Sequence, residues 1–142
     1  MSQELLETSS PQETEAAAAE LAARLEPGDV VLVSGELGAG KTTFVRGACR
    51  ALGVAGAVTS PTYTIGQVYA GPDGLEVAHL DLYRLETLGG EDPALLDDYL
   101  TPGRIGFVEW PAVGESAIDK VVARVRIDHA GGDKRRIEVE GP

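Results

Sequence analysis

Gly35-Glu36-Leu37-Gly38-Ala39-Gly40-Lys41-Thr42 fits the pattern G-x4-G-K-[ST], and each residue type in it suits the grip of a polyphosphate. Glycines let backbone N–H groups curl around an anion with no Cβ in the way, at the positive end of a helix that follows. Lys41 is a compact point charge for the β- and γ-phosphates, and the Thr42 hydroxyl is an oxygen ligand for Mg²⁺. A nucleoside triphosphate with magnesium is the ligand this chemistry predicts. No Asn-Lys-x-Asp guanine-reading motif is present, so ATP is expected rather than GTP.

A phosphate loop by itself leaves Mg²⁺ short of an acid and the attacking water without a positioning group. Two carboxylates stand at the ends of apolar runs: Asp81 after Val77-Ala78-His79-Leu80, and Glu109 after Ile105-Gly106-Phe107-Val108. In an open α/β sheet, ligands collect at the carboxyl ends of strands, where both side chains would emerge. Aspartate is the usual metal-holding acid, so Glu109 departs from the common pattern, and these residues alone leave open which acid holds the metal. Ser60-Pro61-Thr62-Tyr63-Thr64 falls where a γ-phosphate-sensing hydroxyl often sits, an ordinary polar turn being an equal reading. His79 reads as a core histidine, Arg84 as an ion-pair partner, Trp110 as packing and Cys49 as a small buried apolar residue.

These groups need elements to hold them. Gln12 to Glu26 is rich in helix formers, with Ala18, Leu21, Ala22 and Leu25 on one stripe, and Pro27-Gly28 ends it. Asp29 to Ser34 reads as a buried strand, and Thr42 to Leu52 as a helix stopped by Gly53. That order, strand, glycine loop, helix, is the context the phosphate motif requires. Ile65–Tyr69 and Leu75–Leu82 read as a hairpin turning at Gly71-Pro72-Asp73-Gly74. A short helix is expected over Asp92–Tyr99, a buried strand over Arg104–Glu109, and two antiparallel strands over Val121–Ile127 and Arg136–Val139. The expected fold is α/β: a P-loop NTPase-like three-layer domain with a mostly parallel central sheet and antiparallel additions. It takes residues 1–142 as one domain, with 1–11 flexible.

Net charge is −11 and lysine occurs only at positions 41, 120 and 134, which disfavours a protein that grips RNA through phosphate neutralisation. Contact with tRNA is therefore expected only indirectly, through a protein partner. The single cysteine and the lack of a long apolar run point to a reducing, cytoplasmic setting with no membrane contact.

Taken together, Gly35 to Gly47, Thr59-Ser60-Pro61-Thr62-Tyr63, His79-Leu80-Asp81-Leu82-Tyr83-Arg84-Leu85 and Val108-Glu109-Trp110-Pro111 resemble the bacterial TsaE ATPases. The resemblance implies a part in making N6-threonylcarbamoyladenosine at position 37 of tRNA, through ATP hydrolysis that supports turnover of a TsaD–TsaB complex. It implies Lys41 on the phosphates, Thr42 and Glu109 on Mg²⁺, and Asp81 as the acid that orients or deprotonates water. The implied nucleotide contacts are Glu36, Leu37, Gly38, Ala39, Gly40, Lys41, Thr42, Thr43 and Trp110, with Glu13 and Thr14 bordering the adenine. A small-molecule kinase and a nucleotide-gated interaction module are the alternatives. With no evident arginine finger in cis, hydrolysis by the isolated chain is expected to be slow.

Overall fold

Val30–Gly35 (β2) and Arg104–Glu109 (β5) are apolar at successive positions, as strands covered on both faces must be. They pair in parallel, Leu32 beside Val108 and Val33 beside Glu109. The computed structural model describes residues 2–36, 39–56, 58, 66–81, 98–109 and 120–141. Its strands form one seven-stranded sheet in the order β1-β7-β6-β2-β5-β4-β3, completed by Ser2–Thr8 (β1), Gly66–Ala70 (β3), Glu76–Asp81 (β4), Val121–His129 (β6) and Arg135–Gly141 (β7). The inner strands β4, β5, β2 and β6 run parallel; β3 and β7 are added antiparallel to them, and β1 pairs antiparallel with β7. The fold is the mostly parallel α/β arrangement with antiparallel additions that the sequence predicts.

Side-chain alternation along the strands divides the core. Val31, Val33, Val77, Ile105, Phe107, Val125 and Ile127 face the helices Pro11–Ala22 (α1) and Lys41–Ala51 (α2), through Leu21, Phe44, Val45 and Ala48. Val30, Leu32, Leu80 and Val108 face the other way, against Tyr99 and Leu100. Helix α1 reaches α2 because residue 47 is glycine: a Cβ there would lie 2.5 Å from the Cα of Glu15. Two ion pairs, from Arg46 and Arg50 to Glu15, bridge the same seam.

One expectation is corrected at the N-terminus. Residues 2–11 are not a frayed tail: Ser2–Thr8 is an edge strand in register with β7, Leu6 beside Ile137 and Thr8 beside Arg135. Leu6 packs on the helix-side core while Leu5 is 66% exposed. Local sequence offers a single inward apolar residue, and the ladder partner lies more than a hundred residues away. The helix expected from Gln12 instead starts at Pro11, capped by Ser10 Oγ, which accepts the Glu13 N–H at 3.2 Å, while Glu13 accepts the Ser9 N–H at 2.9 Å. It ends at Ala22, although Leu25 still packs on the core. Of the helix expected over Asp92–Tyr99, only Asp98 and Tyr99 are described, and both are helical. Ser60 to Thr64, Arg84 and Trp110 lie outside the described residues.

Candidate functional site

The site begins where β2 runs out. Gly35 has φ +139°, and a Cβ on it would sit 1.9 Å from the carbonyl oxygen of Ile127 on the neighbouring β6. Only glycine lets the chain leave the sheet there. Gly40, also left-handed at φ 105°, leads into α2 and offers no side chain to cap it, and the first turn of α2 carries no acid. The start of α2 is thus left to attract an external anion. Arg135 braces the loop from across the sheet edge: its Nε donates to the Ala39 carbonyl at 2.9 Å, and its Nη1 to the carbonyls of Gly132 and Lys134 at 2.7 and 2.8 Å. On β6, the His129 N–H donates to Glu36 Oε1 at 3.1 Å.

Lys41 is only 5% exposed. Its Nζ donates to the carbonyls of Gly35 and Glu36 at 3.1 and 2.9 Å, spanning the loop it belongs to. Burial pulls the ammonium below the ordinary lysine range, and the carboxylates of Glu109, Asp81 and Asp128 pull it partly back. The ammonium therefore lies within electrostatic reach of three carboxylates near strand ends.

Asp81 and Glu109 are register partners on the adjacent parallel strands β4 and β5, so both emerge at the carboxyl edge on the α2 side. Glu109 is 3% exposed, and its Oε2 accepts from the Thr42 hydroxyl at 3.4 Å. The same oxygen meets Nε2 of His79, which is fully buried. Thr43 lines a cleft beside the loop, with Ala39 and Gly40 next to it, Ser10, Pro11 and Thr14 on one wall and Asp133 and Arg135 on the other. Thr14 thus borders a space next to the phosphate loop, while the Glu13 carboxylate is taken up by the start of α1.

The structure brings together Glu36, Ala39, Gly40, Lys41, Thr42, Thr43, Asp81 and Glu109; Leu37, Gly38 and Trp110 lie outside the described residues. Two neighbours of the site go beyond the sequence reading. His79 is buried, as a core histidine is, yet it also stands two residues before Asp81 on one strand, and a period of two puts both on one face. That signal was in the sequence. Arg135 carried none, since its partner Ala39 is 96 positions away.

Mg²⁺ prefers hard oxygen ligands, and it is usually held by one or two carboxylates together with substrate phosphates rather than by an all-protein cage. Thr42 Oγ1 and Glu109 Oε2, in contact at the phosphate end of the sheet, fit that donor set. No group of three or more His, Cys, Asp or Glu side chains among the described residues is arranged to hold a metal ion.

A parallel sheet whose central strand opens through a glycine turn into a buried lysine at a helix start defines an α/β domain of the P-loop type. The family model described as "Threonylcarbamoyl adenosine biosynthesis protein TsaE" matches residues 8–137, and the chain belongs to the TsaE family, which takes part in tRNA threonylcarbamoyladenosine biosynthesis. Similar proteins named for that biosynthesis include one from Bacillus subtilis, 41% identical over 131 residues and covering 92% of this chain and 80% of its own. Another, from Streptomyces coelicolor, is 44% identical over 117 residues, 80% of this chain and 77% of its own. The crystal structure of Bacillus subtilis YdiB superposes with a TM-score of 0.78 at 33% identity, covering 99% of this chain and 86% of that one. No helix among the described residues is long and apolar enough to cross a membrane.

Proposed function

We propose that this chain binds ATP with Mg²⁺ in the Gly35–Thr42 loop and hydrolyses it, slowly alone and faster when docked on a TsaD–TsaB complex, in support of tRNA threonylcarbamoyladenosine formation. The observation that carries the reading is the meeting of the buried Lys41, the Thr42 hydroxyl and Glu109 at the start of α2, with Asp81 in register alongside. Lys41, already desolvated, exchanges two loop carbonyls for the β- and γ-phosphate oxygens. Thr42 and Glu109 would hold the magnesium, whose charge offsets the negative charge that develops on the phosphates. Asp81, beside them on the next strand, orients and accepts a proton from the attacking water. The cleft walled by Ser10, Pro11 and Thr14 takes the base and ribose.

A net charge of −11 favours a protein surface over naked RNA as the docking partner. The test is ATP turnover with and without purified TsaD–TsaB, with tRNA modification read in parallel. A partner-supplied group is worth about 10³–10⁵ in rate for this chemistry. Rapid turnover by the chain alone, unchanged by the partners, would contradict the partner-dependent reading. Transfer of the γ-phosphoryl to a metabolite would replace it with a kinase.

A further inference from the structure

We infer that His79 is a positioning residue that fixes the carboxylate of Glu109 for the metal, an inference that rests on the nucleotide–magnesium reading above. His79 is fully buried in β4, held between β3, where Gln67 is its register partner, and β5, where Phe107 is. Its ring stands 6.4 Å, centroid to centroid, from that of Tyr69. From that fixed base, Nε2 meets Glu109 Oε2, the oxygen that also receives the Thr42 hydroxyl. A carboxylate oxygen accepts, so the N–H of this contact is the one on Nε2. Nδ1, the other ring nitrogen, is buried with no hydrogen-bond partner among the described residues.

A buried nitrogen unpartnered among the described residues argues against a merely structural histidine. A buried polar atom without a partner costs free energy, and a leucine or phenylalanine would fill the same space without that cost. What the ring supplies, and an apolar side chain cannot, is one directed N–H at Glu109. A glutamate at a strand end has several rotamers to choose from, and fixing one of them leaves its remaining lone pairs aimed at a single place. Partners of metal-binding carboxylates act in this way, and losing one typically weakens metal binding about 10–100-fold.

The experiment uses the full chain with ADP and Mn²⁺, following bound Mn²⁺ by electron paramagnetic resonance, and separately ADP affinity in EDTA. In His79→Gln the terminal amide nitrogen reaches the place of Nε2; in His79→Asn it falls one methylene short; in His79→Leu there is no donor. The expected result is Mn²⁺ affinity within a few-fold of native for His79→Gln, and about 10–100-fold weaker for the other two, with metal-free ADP affinity unchanged in all three. Equal Mn²⁺ binding by the Gln and Asn variants, strong or weak, overturns the inference, as does native-like binding by His79→Leu. If His79→Leu fails to fold, the Gln–Asn pair still decides. Absence of Mn²⁺ binding by the native chain with ADP is a different outcome, which rejects the nucleotide–magnesium reading itself and this inference with it.

Discussion

Replacing Lys41 by methionine keeps the volume of the side chain and removes its charge, so the variant separates the ammonium's work on phosphate from its work on the fold. In the free protein the ammonium makes two bonds to loop carbonyls, at 3.1 and 2.9 Å, each worth about 1.5–3 kcal/mol for a charged donor. Against this stands the burial of the charge, which lowers its pKa and costs several kcal/mol before its partners are counted. A lysine whose folded pKa is depressed destabilises the fold while protonated, and this cost fades as pH rises through that pKa. The two sides nearly cancel, so Lys41→Met should change stability by no more than about 2 kcal/mol, a Tm shift of at most about 10 °C for a chain of this size.

Binding should respond differently. Loss of one partner from a buried charge pair costs about 2–5 kcal/mol, or about 30- to 5,000-fold in Kd. Titration calorimetry with ATP, ADP and AMP reads this directly: ATP and ADP affinities fall, whereas AMP, which lacks the phosphates Lys41 would meet, changes little. In the native protein the advantage of ATP over AMP should also decline as pH rises toward 10.5, beginning below the ordinary lysine value because burial lowers that of Lys41; the methionine variant should lack this decline. An ATP affinity within about threefold of native in a folded Lys41→Met variant would refute the phosphate role. Collapse of the fold would make Lys41 a structural residue first.

Asp81→Asn should cut ATP turnover by about 10²–10⁴-fold, the usual share of a general base, with nucleotide Kd near native; an equal loss in binding would make Asp81 a ligand rather than the group that handles water. In Gly47→Ala the new Cβ would lie 2.5 Å from the Glu15 backbone, and urea unfolding should show a loss of about 1–3 kcal/mol from overpacking despite the helix preference for alanine. An unchanged midpoint would mean that α1 can slide off α2 freely. Cys49, its thiol pushed up to about 12 by burial, should resist iodoacetamide at pH 8 until the chain unfolds, as mass spectrometry can follow; prompt labelling of the folded protein would count against the burial.

The phosphate-loop motif and its local frame are legible in the residues alone. Gly35, Gly40, Lys41 and Thr42 are legible because the motif spans eight residues and the flanking strand and helix declare themselves by apolar runs of strand and helix length. Asp81 and Glu109 were legible as strand-end acids for the same reason, since local hydrophobicity marks where each strand stops. What tertiary structure alone decided is how these pieces are matched. Thr42 and Glu109 lie 67 positions apart, Ala39 and Arg135 96 apart, and only the register of β2 against β5 and the placing of β7 bring them within bonding distance. The seating of β1 belongs here too, because a strand with one inward leucine folds only where a distant partner strand offers its edge. Local pattern reports what one face of one element prefers; which elements become neighbours is set by closing a common core, a property no short window of sequence contains.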